Sequence, residues 1–199
     1  MNQQARIFVA SNNLGKIKEI RELFGSVLPD TTVVSANDIG IEISYPDEGD
    51  DYTKNALRKA QAAAEQSGLP SVADDSGLEV DALDGRPGVH SARYGQNDHD
   101  RNQRLLKELD GVAVRTARFR AVTAAVFPDG TEIVTEETWE GKIALEPQGD
   151  EGFGYDPVFI DGASGQCAAE MTSQEKSSVS HRGEAFRALV KAISDRIVR

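Results

Sequence analysis

The sequence predicts an α/β domain, strands alternating with helices, and three stretches carry that expectation. Arg6 to Ala10 is a short apolar strand, followed by a polar turn and by Ile17, Ile20, Leu23 and Phe24 at helical spacing. A second helix, from about Tyr52 to Gln66, closes at Gly68 just before the β-prone pair Ser71-Val72. Arg115 to Phe127 alternates as a long strand, turns at Pro128-Asp129-Gly130 and returns over Thr131 to Trp139 as a hairpin. At 199 residues the chain is one domain, or two lobes sharing a core, and long enough to bury that core well.

Composition narrows the function. A net charge of −11 argues against life on a nucleic-acid backbone, which is bound by neutralising phosphates with Lys and Arg. A small polyanion is still open to such a chain if cations gather locally and a metal is recruited. No apolar run approaches the ~20 residues of a membrane helix, and the opening residues are too briefly apolar for a signal peptide. Cys167 is the single cysteine, which excludes an internal disulfide and a cysteine-cluster metal site. A cytoplasmic location is the default expectation.

In chain order, the first helix starts after Ser11-Asn12-Asn13-Leu14-Gly15-Lys16 and is expected to end at Gly25. Turn amides and a helix N-terminus form an anion site, and Lys16 stands where the helix dipole disfavours a cation unless an anion is bound. The spacing is not that of a P-loop. Val33-Val34 is a second strand, and the segment to Tyr45-Pro46 reads as a loop. The acidic run Asp47-Glu48-Gly49-Asp50-Asp51 then precedes the second helix, where carboxylates suit the dipole and equally suit a metal. On that helix Tyr52, Asn55 and Lys59 share a face.

Ala73-Asp74-Asp75-Ser76-Gly77 places two carboxylates at an expected strand end. Two readings stay open: an acidic surface turn, or a site for a divalent cation such as Mg2+, which prefers carboxylate oxygens and retained waters. The loop beyond it holds Gly85, Pro87, Gly88 and then Ser91-Ala92-Arg93. Asn97 or Asp98 caps a helix through Leu105, Leu106 and Leu109 that ends at Gly111. In Gly149 to Phe159, glycines flank Phe153, so either that ring is a surface on which a flat base stacks or Phe153 and Tyr155 are ordinary core aromatics. Thr172-Ser173-Gln174-Glu175 fits a capping box carrying Lys176. His181 and Arg182 open the last helix, an odd place for cations unless they face a ligand.

Together, Ser11 to Lys16, Asn55-Ala56 with Lys59-Ala60, Ala73 to Gly77 with Pro87-Gly88 and Ser91-Ala92-Arg93, Phe153 to Pro157, and Glu175-Lys176 with Ser180-His181-Arg182 occur in this order. In these motifs, from Ile7 to Leu189, the chain resembles the non-canonical purine nucleoside triphosphate pyrophosphatases, also called inosine triphosphate pyrophosphatases. The resemblance implies a single domain over residues 1–199, built on a long curved mixed sheet with flanking helices and two lobes around a central cleft. It also implies a homodimer, no nucleic-acid or membrane partner, and Mg2+-dependent hydrolysis of ITP, dITP, XTP and dXTP to monophosphate and pyrophosphate. Asp75 would be base and metal ligand, Asp74 its helper, and Lys16 and Lys59 the phosphate cations. Ser11, Asn12, Asn13, Leu14, Gly15, Asn55, Ser76 and Arg93 would line the substrate. Phe153 would stack on the base, Gly154, Tyr155 and Asp156 would shape the pocket, and Lys176, His181 and Arg182 would read the purine edge. The chain departs from the family pattern at Lys54, where a glutamate is common, and the second metal carboxylate is Asp47 or Glu48. Two other readings are a related enzyme preferring modified pyrimidines and a nucleotide-binding module without turnover.

Overall fold

The computed structural model describes residues 5–197. The order is β1 (Ala5–Val9), α1 (Leu14–Val27), β2 (Thr31–Val34), α2 (Ala36–Ile39), α3 (Tyr52–Ser67), β3 (Ser71–Val80), β4 (Pro87–Gly88) and α4 (Asp98–Glu108). The strands β5 (Thr116–Val126) and β6 (Glu132–Ile143) follow, then β7 (Phe159–Asp161), α5 (Ser173–Val179) and α6 (His181–Ile197). Among the described residues the strands form one sheet in the order β2-β1-β3-β5-β6-β7, with β4 added on β3. β1 runs parallel to β2 and β3, whereas β3–β4 and β6–β7 are antiparallel, so this is the mixed sheet that the family resemblance implies.

The chain divides into two compact units. The first comprises the chain up to Asp75, Ala121–Glu137 and the chain from Arg182 on; the second comprises Ser76–Arg120 and Thr138–His181. In the first unit, strand alternation sorts side chains into two layers. Ile7, Val9 and Val72 pack with Ile20 and Phe24 of α1 and with Phe186 and Leu189 of α6. Phe8, Ala10 and Ala73 pack instead on Ala56, Ala60 and Ala63 of α3, whose small side chains let the helix lie close to the strands. Each fully buried Phe or Leu contributes about 1.5–3 kcal/mol relative to exposure. The second unit gathers Leu78, Leu105, Phe119, Trp139, Tyr155 and Phe159 in a core of its own.

Two expectations change and a third is refined. Gly25 does not end α1, which runs to Val27 and closes with the Leu28 N–H on the Phe24 carbonyl; a side chain at Gly25 would meet open space, so nothing requires a break there. Ala73–Gly77 is not a turn at a strand end but the interior of the ten-residue β3, with Asp74 and Asp75 buried. Buried carboxylates inside a strand are sustainable only with partners, which both have. The loop after β2 also carries the one-turn helix α2, closed by Gly40 at φ 66°.

Candidate active site

Successive residues of a strand face opposite ways, so Asp74 and Asp75 inherit the two layers already set by Val72 and Ala73. On the α1/α6 side, Asp74 Oδ2 accepts from Lys16 Nζ at 2.8 Å and from Arg182 Nε at 3.2 Å. Lys16 is held in the first turn of α1, where the N-cap Asn13 side chain takes its backbone N–H and Ser11 Oγ takes that of Asn13. By helix geometry the N–H groups of Leu14 and Gly15 have no intrahelical acceptor. Arg182, in the first turn of α6, also donates from Nη1 to Glu19 Oε2 at 2.7 Å. Burial opposes the Asp74 charge, but Lys16, Arg182 and Lys59 outweigh it and hold the carboxyl far below its ordinary range. Burial lowers the Lys16 pKa, and the neighbouring charges of Arg182 and Lys59 add to the effect. A buried carboxylate thus sits among three cations.

On the α3 side, Asp75 Oδ2 accepts from Asn55 Nδ2 at 2.8 Å, and Asp75 Oδ1 accepts from Lys59 Nζ at 3.3 Å. The same ammonium donates to Glu48 Oε1 at 3.0 Å. Asn55 also grips Gly49, accepting its N–H at 2.8 Å and donating to its carbonyl at 3.0 Å, which fastens the acidic loop beside Asp75. Burial pushes the Asp75 pKa up against the pull of Lys59 and of the Asn55 hydrogen bond. Burial likewise opposes the Lys59 charge, but Asp75, Asp74 and Glu48 together keep its pKa raised.

The acidic run therefore divides its labour. Asp51 is the N-cap of α3, accepting the Lys54 N–H at 3.0 Å, while Glu48 faces Asp75 across one ammonium. Asp47 is exposed and makes no ion pair among the described residues. Lys54 is exposed and pairs with Asp51, outside the Glu48–Lys59–Asp75 group. Two carboxylates converging on one cation form an all-oxygen donor set that suits Mg2+, which takes one or two carboxylates and completes its shell with water and phosphate. No group of three or more His, Cys, Asp and Glu side chains among the described residues could hold an ion unaided.

The second unit holds a separate group. Asp156 Oδ2 accepts from Lys176 Nζ at 2.6 Å and from the Phe153 N–H at 2.8 Å. The Lys176 ammonium lies 4.8 Å from the centre of the half-buried Phe153 ring. The capping box expected at Thr172 is present and starts α5, which delivers Lys176. His181 is buried and stacks on Phe119 at 4.7 Å with the rings 5° from parallel, Trp139 lying next to both.

Not every expected residue is drawn in. Tyr155 is a core residue, its hydroxyl donating to the Ser91 carbonyl at 2.9 Å. Arg93 is exposed and lies against His90, whereas Ser91 is the buried member of its motif. Asn12 and Leu14 are exposed, and Ser76 and Gly15 are half-buried. Arg182 keeps company with Lys16 and Asp74. Glu19, one turn after Lys16 on α1, belongs to no recognisable motif, and Phe119 and Trp139 carry only the alternation of a strand, so no signal in the sequence marks them out.

An α/β fold that holds two neighbouring buried carboxylates among two lysines and an arginine is an arrangement open to hydrolytic chemistry on an anionic substrate. The model of the Ham1 family matches residues 7–192. The chain is 47% identical to a protein named dITP/XTP pyrophosphatase from Nitratidesulfovibrio vulgaris, across 94% of this chain and 95% of that one. It is 44% identical to a protein of the same name from Cutibacterium acnes, across 95% and 96%. Among solved structures, the Staphylococcus aureus Ham1 protein superposes with a TM-score of 0.84 at 34% identity, covering 96% of this chain and 99% of that one. The chain belongs to the Ham1 family.

Proposed function

We propose that this protein hydrolyses deaminated purine nucleoside triphosphates (dITP, ITP and XTP) to the monophosphate and pyrophosphate, and so clears them from the nucleotide pool. Relatives at 47% and 44% identity carry the name dITP/XTP pyrophosphatase. The observation that carries the chemistry is Asp75, a carboxylate whose pKa burial raises and whose two oxygens are fixed by Asn55 and Lys59. A carboxylate held in place by hydrogen bonds, with its basicity raised by burial, is suited to accept a proton. Asp75 orients a water toward the α-phosphorus and takes its proton as the new P–O bond forms. The bond to the bridging oxygen breaks, and pyrophosphate departs against the charges of Lys16 and Lys59. Asp74 acts by holding Lys16 and Arg182. Asp75 and Glu48 would hold Mg2+, which neutralises charge on the phosphate oxygens.

For the base, Phe153 supplies the stacking face and Lys176, whose ammonium only donates, meets a 6-oxo acceptor. Adenine offers an amino donor there, which cannot accept from the ammonium, so the hydrogen bond to the base is lost while Lys176 keeps its pairing with Asp156. The enzyme works as a homodimer, which light scattering checks. Among the described residues no helix is long and apolar enough to cross a membrane. The test is an assay with Mg2+ that offers ITP, dITP and XTP beside ATP and GTP and separates pyrophosphate from orthophosphate. Pyrophosphate from the first three, with little from ATP, is the expected result, and the GTP arm, which shares the 6-oxo group, reads out whether the 2-amino position is also discriminated. Orthophosphate alone places attack on the γ-phosphate and overturns the mechanism.

A further inference from the structure

The loop that presents Phe153 is held from outside by a helix to which nothing so far assigns a role. Asp98 and Asn102 lie one turn apart on α4, so their side chains share a face. The Gly154 N–H donates to Asp98 Oδ2 at 2.7 Å, and Asn102 Nδ2 donates to the Gly154 carbonyl at 3.0 Å. Both backbone polar groups of the residue after Phe153 are thereby fixed. Gly154 needs this support, because it sits at φ 66° in the left-handed region, and Gly152 on the other side of Phe153 is left-handed too, at φ 78°. Glycines have much conformational freedom to lose there.

The helix is itself anchored. Arg101 pairs with Asp98 and donates to the Ala92 carbonyl at 3.1 Å, and Arg104 donates to the Tyr94 carbonyl at 3.1 Å. Asn102 shows that this geometry is not what a core residue optimised for stability would give. The residue is 6% exposed, and its Oδ1 is buried with no hydrogen-bond partner among the described residues. A buried acceptor left unpaired is a cost that an apolar side chain of the same size would avoid.

We propose that Asp98 and Asn102 are positioning residues for substrate recognition: α4 grips Gly154 so that the Phe153 ring is held ready for the purine base. This rests on the stacking role given to Phe153 above. With Mg2+ saturating, Asn102→Ala and Asp98→Ala are expected to raise KM for ITP about tenfold, a share of what base stacking on an aromatic supplies, with kcat within about twofold of the parent. Asp98→Asn keeps an acceptor for the Gly154 N–H and restores most of the affinity. The deciding measurement is a double-substitution cycle: in a Phe153→Ala background the Asn102 and Asp98 changes are expected to add little further to KM, since they act through the ring. Full additivity, or a fall in kcat at unchanged KM, overturns the proposal while leaving stacking intact. An unchanged KM in Phe153→Ala alone overturns the stacking reading, and the proposal with it.

Discussion

The charged group around Asp74 and Asp75 and the loop around Phe153 hold functional side chains by opposite means. The first is mounted on regular elements: β3 supplies the carboxylates, the first turns of α1 and α6 supply Lys16 and Arg182, and α3 supplies Asn55 and Lys59. Its precision comes from strand alternation and from long-range ion pairs in a buried setting. The second is mounted on left-handed glycines and fixed through backbone hydrogen bonds to Asp156, Asp98 and Asn102. Damage should therefore appear in different observables: stability and turnover for the charged group, substrate affinity for the loop.

The largest expected effect is on stability. Asp74→Ala strands Lys16 and Arg182 without their shared counter-ion, and removing one partner of a buried ion pair costs about 3–5 kcal/mol, read as a lower midpoint in denaturant unfolding. Its neighbour should behave oppositely. Asp74 has a lowered pKa in the fold, so its contribution is present above the ordinary value of 3.8 and is lost as pH falls through the folded one. Asp75 has a raised pKa, so its contribution is present below 3.8 and is lost as pH rises through the folded value. At neutral pH, Asp75→Asn is therefore expected to leave the melting temperature level or higher while cutting kcat by about 100-fold or more. A stable variant with near-parental turnover would remove Asp75 from the role of base.

Smaller effects sharpen the contrast. Phe153→Ala is expected to weaken ITP binding by about 1–3 kcal/mol, measured by calorimetry with the Mg2+ complex of a non-hydrolysable analogue, with little change in fold stability. A loss of stability matching that of Asp74→Ala would mean that the ring is core rather than recognition surface. Smallest of all is Lys54→Glu, which places a carboxylate where the family resemblance leads one to expect it. Lys54 is exposed and lies outside the carboxylate group, so the Mg2+ concentration for half-maximal rate should hold within about twofold, as expected of surface changes near ±0.5 kcal/mol.

Several parts of the site were legible in the chain because they are local. The α3 face bearing Asn55 and Lys59 follows from helical spacing, as do the cap at Gly68 and the capping box that delivers Lys176. The reading of Asp74-Asp75 as a strand end failed for a non-local reason. Adjacent carboxylates look like a turn or a shared metal site until Lys16, 58 positions away, and Arg182, 108 positions away, are seen to neutralise one of them. Arg93 illustrates the converse: its motif is recognisable, yet it is the buried Ser91 that ties the motif into the second unit, through the Leu78 N–H and the Tyr155 hydroxyl.

Period and propensity act over a few residues, and they were enough to read the alternation of strands and helices and which side chains carry charge beside which glycines. Only the tertiary structure decided that Asp74 and Asp75 serve opposite faces of one strand, that Glu48 rather than the exposed Asp47 meets Lys59, and that α4 grips the Phe153 loop. Those outcomes depend on burial and on partners distant in the chain, where desolvation and ion pairing set each charge's role.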